Sequence, residues 1–383
     1  MRELELYLHI PFCVKKCAYC DFLSAPADDV KKQEYVDTLI QEIESYKERY
    51  QEYHVTTVFV GGGTPSILSP EQMESVFIAL RENFSIDEEA EITVEANPGT
   101  VTEEKADTWK RLGINRISIG LQTVSDEELR VLGRIHTYEQ FLGTYRLLRE
   151  KGFSNLNVDL ISAIPGQTVK GWKKTLAAVA ELEPEHISAY SLIVEEGTLF
   201  YKIYGDDKEP GYLPLPSEET ERLIYEETES FLQQYGYSRY EISNYAKEGY
   251  HCRHNEGYWR RADYLGIGLG ASSLIGKERF RNLSDYDEYI AAVGNQADIR
   301  EETEYLETAD EMEEFMFLGL RMMEGIRRVD FLEQFGKEIE EVYGKQIRQL
   351  EQNGLIESVE GRIRLTKLGI DISNYVFVQF LLP

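Results

Sequence analysis

Leu8-His9-Ile10-Pro11-Phe12-Cys13-Val14-Lys15-Lys16-Cys17-Ala18-Tyr19-Cys20-Asp21-Phe22 carries three of the four cysteines in this 383-residue chain. The spacing is C-x₃-C-x₂-C, and the remaining cysteine, Cys252, is far away in the sequence. Three thiolates this close suit a [4Fe–4S] cube that keeps one iron free of protein ligands. Electron-transfer clusters usually close every corner with four thiolates. An open iron can instead bind a small molecule, as a catalytic zinc keeps one position free. The loop therefore points to chemistry at the cluster. A structural Cys₃His zinc site is the rival, but zinc ligands usually come as two separated pairs. A disulfide fits less well, because nothing here has a secretory character and the cytosol keeps thiols reduced.

Length predicts one large and one small unit, and 42% apolar with 29% charged residues describes an ordinary globular protein. The start, Met1-Arg2-Glu3-Leu4-Glu5-Leu6-Tyr7, has neither a basic region nor a long apolar stretch, so no signal peptide is expected. No apolar run is long enough to span a bilayer, and a cytoplasmic location is expected. The apolar tail 375–382 is too short to span and is expected to dock as a strand. The formal net charge of −28 repels phosphate backbones, which argues against general nucleic-acid binding.

Short β-type runs at 4–10, 56–60, 91–95, 116–120, 155–160 and 186–192 alternate with amphipathic stretches near 33–50, 70–83, 102–111, 138–150 and 170–181. Six β-then-α units imply parallel strands with right-handed helical crossovers, an α/β fold. A doubly wound sheet gives the same pattern. A partial (β/α)₆ barrel is preferred, because the candidate functional residues fall at the C-terminal ends of several strands, where barrel active sites are built. Residues 205–216 read as a loop leading out of the barrel, followed by a helix near 217–234 and the Gly-rich run 266–270. From about 300, helices near 308–323, 329–335 and 338–352 precede a two-stranded wing at 353–357 and 361–365, a winged-helix-like α+β module. Such a module often means DNA. This one carries Glu301, Glu302, Glu304, Glu307, Glu311, Glu313 and Glu314, and reads as a lid or partner surface. The expected division is 1–205 for the barrel, 206–299 for its extension and 300–383 for the module.

Gly61-Gly62-Gly63-Thr64-Pro65 ends the second strand. Alone, such a run is usually a tight turn. One strand after the cysteine loop, it offers backbone that a ligand can approach closely. Glu95 at the end of the third strand can accept hydrogen bonds from an amine or from hydroxyls. Gln122 lies on the same rim after the fourth strand. Arg134 can pair with a carboxylate in fork geometry, and Asp159 closes the set at the fifth strand.

The cysteine spacing and its flanks resemble the radical S-adenosylmethionine (SAM) superfamily. The resemblance implies that SAM chelates the open iron and is cleaved by an electron from the cluster, giving a deoxyadenosyl radical. The ordered series HIPFC-x₃-C-x₂-C, GGGTP, VEANPG, SIGLQ, LGR-x-H and VDLI-x-x-IPGQT is similar to the oxygen-independent coproporphyrinogen III dehydrogenase (HemN) group. This implies cluster ligation by Cys13, Cys17 and Cys20. It also implies SAM contacts from Tyr7, Gly62, Gly63, Thr64, Glu95, Gln122, Arg134 and Asp159, with Tyr19 beside the adenine. In the dehydrogenases some of these positions meet a second SAM, so which molecule each residue meets stays open.

Two departures separate this chain from the dehydrogenases: Phe22 stands where they have another cysteine, and their N-terminal extension is not seen ahead of the first strand. Instead the chain carries His251-Cys252-Arg253-His254-Asn255-Glu256-Gly257-Tyr258-Trp259, whose H-N-x-x-Y-W resembles the haem chaperone subfamily, HemW. The resemblance implies haem as a ligand, an acceptor protein that receives it and a donor of electrons. Histidine is a common axial ligand for haem iron, Tyr258 and Trp259 can cover a porphyrin face, and Cys252 is a possible thiolate. The sequence does not choose between His251, His254 and Cys252. The alternative function is oxidative decarboxylation of coproporphyrinogen III.

Overall fold

The computed structural model describes residues 1–205 and 211–382. The loop expected at 205–216 therefore lies in part outside the described residues. Six strands, β1 (Arg2–Ile10), β2 (Tyr53–Gly62), β3 (Ile86–Ala96), β4 (Arg116–Gln122), β5 (Leu156–Ser162) and β6 (His186–Ser191), pair in parallel and in chain order. A doubly wound sheet would reverse its strand order partway; this one never does, and it is a partial barrel. Between the strands run α1 (Asp29–Ser45), α2 (Pro70–Asn83), α3 (Glu103–Arg111), α4 (Asp126–Val131), α5 (Tyr138–Glu150) and α6 (Val169–Ala180). After β6 come α7 (Leu199–Tyr204) and α8 (Glu218–Gln233).

Side chains alternate across each strand with a period of two. On β1, Leu4, Leu6, Leu8 and Ile10 are fully buried in the main apolar core with Val58, Val60, Val94, Ile117 and Ile119 of its neighbours. The intervening Glu5, Tyr7 and His9 line the concave side, together with Thr57, Glu91, Thr93, Glu95, Arg116, Ser118, Asn157, Asp159 and His186. The core is outside the barrel and the lumen is polar, the reverse of a lumen packed with aliphatic layers.

The barrel does not close. Beyond β6 the sheet continues antiparallel through β8 (Asn244–Ala246) and β7 (Ser238–Arg239). Beyond β1 it continues through the parallel β9 (Tyr264–Ile267) and then the antiparallel β10 (Ser272–Ile275), β11 (Glu278–Asn282) and β12 (Arg300–Tyr305). Before β9, the short helix α9 (Arg253–Trp259) lies against the N-terminal part of the lumen. After β11, α10 (Tyr286–Gly294) packs on α1.

The second apolar core gathers α11 (Thr308–Gly319), α12 (Arg328–Phe335) and α13 (Ile339–Gln352) around a three-stranded sheet of β13 (Ile326–Arg327), β15 (Arg362–Leu365) and β14 (Ile356–Val359). The two-stranded wing expected from sequence thus gains a third strand. The tail corrects another expectation. It forms α14 (Lys367–Asp371) and α15 (Ser373–Val378), and not a strand. Val376 and Phe377 of α15 and Phe380 in the turn after it all bury into the module core. Tertiary packing overrides the β-prone composition. Four of the acids that the sequence assigns to the module pair with arginines of β11: Glu301 and Glu302 with Arg281, and Glu304 and Glu314 with Arg279.

One buried carboxylate ties the β9–β11 extension to α1. Glu42 accepts from Tyr46 Oη (3.1 Å), Asn282 Nδ2 (2.9 Å), the Gly268 amide (2.9 Å) and Tyr289 Oη (2.5 Å). Burial pushes its pKa up to about 7 against the pull of these donors. Replacing it strands four enclosed donors, each expensive to leave unmade. Glu42→Ala is expected to lower unfolding stability by about 3 kcal/mol or more, read by urea denaturation followed by circular dichroism. An unchanged midpoint would rule out the role given to Glu42.

Candidate metal and cofactor centre

The last rung of the β1–β2 ladder pairs Ile10 with Gly62, which sets the cysteine loop beside the glycine loop. The Gly63 amide donates to Ile10 O at 2.8 Å. Gly62 has φ +107°, and a Cβ on Gly63 would meet Phe12 O at 2.6 Å and Ile10 O at 2.9 Å. Both neighbours are backbone, so neither can swing away. The cysteine loop is pinned further by Cys13 N to Ala25 O (3.1 Å), by Ala18 N to Leu132 O (3.0 Å), and by His9 Nε2 to Leu23 O (2.8 Å).

Donors surround the sulfurs. Cys13 Sγ lies 3.1 Å from Thr64 Oγ1, and Arg134 Nη1 is 3.6 Å from Cys17 Sγ. The Arg134 Nη2 group donates to Gly120 O (2.6 Å) and Asn97 Oδ1 (2.7 Å), and Asn97 Nδ2 donates to Thr64 Oγ1 (2.8 Å). Cys17 and Cys20 open on a cavity of about 280 Å³ bordered by Lys16, Gly133, Thr198 and Leu199. Burial, reinforced by Cys17 and Cys13, pushes the Cys20 thiol up to about 11. A metal's positive charge would deprotonate it outright. Among the described residues no three His, Cys, Asp or Glu side chains converge on one ion-sized point. Each iron of a cube takes one thiolate, so three cysteines on one short loop suit a cube that keeps its fourth iron open.

The rim residues named from sequence gather on the concave side at the same end. Glu95 Oε2 accepts from the Gly62 amide at 3.1 Å. Burial first, and then Asp159 beside it, pushes the Glu95 pKa up to about 8. A cationic amine placed here would return it to carboxylate. Asp159 accepts from Ser118 Oγ and Asn157 Nδ2, both at 2.8 Å, and burial raises its pKa. Gln122 sits at φ 75° at the end of β4. A left-handed residue other than glycine is strained, and such strain concentrates at ligand sites. Tyr7 reaches His9 Nδ1 at 3.1 Å, and Tyr19 packs half-buried against Ile161, Ile164 and Phe200. Sequence reading missed Asn97, although it stands within the quoted VEANPG segment, and it missed Arg116, Glu5 and Glu91.

The haem candidates lie at the opposite end of the lumen. His254 is 1% exposed, its Nδ1 2.7 Å from Thr57 Oγ1 and its Nε2 3.0 Å from Tyr258 Oη. The ring stacks on Phe59. Burial, with Arg116 adding, drives its pKa down to about 3. Gly257 brings α9 so near β1 that a Cβ there would collide with the Glu5 carboxyl. Cys252 is fully buried with its thiol toward Glu91 Oε1, and burial raises its pKa. Trp259 lies beneath the Arg321 guanidinium at 4.2 Å, which couples α9 to the C-terminal module. His251 differs from these: it is partly exposed, stacks on Tyr240 at 4.1 Å, and has Nδ1 3.0 Å from Glu256.

Three thiols at the mouth of an open parallel barrel, next to a glycine loop and a polar rim, define a radical SAM protein. Residues 7–179 match the radical SAM superfamily, and residues 306–372 match the HemN C-terminal domain. The chain is 37% identical to haem chaperone HemW of Lactococcus lactis subsp. lactis over 98% of this chain and 97% of that one. It is 35% identical to haem chaperone HemW of Bacillus subtilis, covering 98% of each. Among solved structures, coproporphyrinogen III oxidase (HemN) from Escherichia coli superposes with a TM-score of 0.87 at 26% identity, over 99% of this chain and 90% of that one. The chain belongs to the HemW family within the HemN-like radical SAM proteins. Its cofactors are a [4Fe–4S] cluster and SAM. Among the described residues no helix is long and apolar enough to cross a membrane.

Replacing Cys13, Cys17 or Cys20 by Ser is expected to leave iron content low after anaerobic reconstitution. Gly63→Ala should do the same while far-UV circular dichroism stays native, because only the loop must move. Cys252→Ser, at the other end of the lumen, should load iron normally. Full iron loading in the first group would refute the ligand assignment.

Glu5 supplies a pH test of the lumen. Burial, and then the Glu91 charge, raises its pKa from an ordinary 4.5 to about 9. The folded chain thus keeps a proton that the unfolded chain gives up. Its contribution is whole below about pH 4.5 and is lost as pH rises through 9, with a slope near 1.4 kcal/mol per unit. Thermal midpoints are expected to fall from pH 6 to pH 9, less steeply in Glu5→Gln. Parallel curves for the two proteins would remove Glu5 as the cause.

Proposed function

We propose that this protein is a cytoplasmic haem chaperone, which binds haem and passes it to acceptor proteins. In this reading residues 1–205 carry the cluster and SAM, 206–299 carry the haem segment, and 300–383 face the acceptor. Cys13, Cys17 and Cys20 hold the cluster. Gly62, Gly63, Thr64, Glu95, Gln122, Arg134 and Asp159 hold SAM, with Tyr7 and Tyr19 flanking it. When bound, these groups supply one-electron chemistry at the barrel mouth, fed by an external electron donor. Backbone amides of the glycine loop position them, and Arg134 braces the cysteine loop through Cys17 and Asn97.

The observation that carries the reading is the placement of α9, with His254, Cys252 and Tyr258 in the barrel floor and Trp259 against the C-terminal module. Both His254 nitrogens are engaged, so contact between its ring and haem iron requires α9 to leave Thr57. That movement pulls Trp259 from beneath Arg321. Loading of haem and presentation of the module are thereby mechanically joined. Phe22, 60% exposed beside the cysteine loop, replaces the further cysteine of the dehydrogenases.

The reconstituted protein is expected to bind haem stoichiometrically in an absorbance titration, with His254→Ala and Trp259→Ala each weakening binding tenfold or more. Parallel anaerobic incubation with coproporphyrinogen III should yield no protoporphyrinogen. Robust turnover in that assay would reverse the assignment.

A further inference from the structure

Arg116 opens β4 and is 2% exposed, on the lumen side because Ile117 takes the core side. Among the described residues its guanidinium makes no hydrogen bond or ion pair, and Nε is enclosed without a partner. Thr93, its neighbour across the β3–β4 ladder, also buries a hydroxyl that has no partner. The carboxylates that act on Arg116 through space are committed elsewhere. Glu91 accepts from Cys252 Sγ and from the Arg253 and His254 amides; Asp159 accepts from Ser118 and Asn157; Glu95 accepts from Gly62. Arg134, another buried arginine of the lumen, also leaves its Nε without a partner, but it commits both terminal nitrogens, to Cys17, Asn97 and Gly120 O. A buried cation with open donors is stable only when something occupies them.

We propose that the barrel interior holds an anion site on Arg116, with Thr93 as second donor, that takes a carboxylate. A planar two-oxygen group matches the fork of a guanidinium. Burial already disfavours negative charge on the neighbouring Glu95 and Asp159, so the surroundings are hostile to the second charge of a dianion such as phosphate. The site lies between Glu95 and Asp159 toward the mouth and Cys252 and His254 toward α9, each of which senses the Arg116 charge. A ligand in the lumen therefore reaches it with a carboxylate arm. For haem that arm is a propionate, and this part of the proposal rests on the chaperone reading; the anion site itself does not.

Two experiments separate the parts. Crystals of the reconstituted full-length chain soaked in sodium bromide are expected to show an anomalous peak at the Arg116 guanidinium, displaced by acetate and missing in R116M. Water alone in that place overturns the site. Bromide that acetate cannot displace marks an adventitious ion only, and overturns the carboxylate assignment. In titrations, R116M is expected to weaken haem binding by roughly tenfold to a hundredfold, as for loss of a charged hydrogen-bonded contact, and to leave haem dimethyl ester unaffected. R116K, which keeps the charge but loses the fork, should fall between and serves if R116M does not fold. Equal losses for haem and its ester overturn the propionate role. Absence of haem binding by the unaltered protein counts against the chaperone reading and leaves the bromide result to decide the anion site.

Discussion

The pairing of Ile10 with Gly62 at the end of the β1–β2 ladder is the constraint on which the candidate centre depends. A parallel ladder fixes where two chain segments leave the sheet, and here both leave on the same rung. One becomes the cysteine loop and the other the glycine loop. No side chain fits between Gly63 and the backbone of Ile10 and Phe12, so the two loops act as one rigid piece. Thr64 then reaches Cys13, Asn97 reaches Thr64, and Arg134 reaches Asn97 and Cys17, which carries the constraint across two further strands.

Much of this was legible in the sequence for a simple reason. Residues at the C-terminal ends of parallel strands converge whatever the strand lengths, so the sequence alone places Glu95, Gln122 and Asp159 on one rim. What was illegible lay on the same face of the strands, two or three repeats of the pleat earlier. Glu5, Glu91 and Arg116 alternate with aliphatic residues, as polar residues facing solvent do, and nothing local distinguishes a polar lumen from a wet surface. Asn97 was hidden differently: its partners Thr64 and Arg134 are distant in sequence, so nothing local assigns it a role. The terminal helix α15 eluded reading because Val376, Phe377 and Phe380 suit either period until the module core is known.

The lumen balances its charges by suppressing most of them. Burial holds His254 neutral far below its usual range, and holds Glu5 and Glu95 protonated far above theirs. Arg116 has no such route, since a guanidinium keeps its proton under any ordinary condition. The interior therefore carries a fixed positive charge surrounded by groups whose ionisation answers to it. Ionising any neighbouring carboxyl, or admitting an anion, changes the field felt by all the others.

That common field is what makes the two ends of the lumen one system. Glu95 and Asp159 at the SAM rim, and Cys252 and His254 in α9, face opposite openings and share no hydrogen bond, yet each responds to Arg116. A neutralising ligand on Arg116 would ease protonation of His254 and oppose ionisation of Glu95, because the stabilising cation would no longer act on either. Proton uptake by His254 in turn disrupts its contacts with Thr57 and Tyr258, at least one of which needs the ring as acceptor.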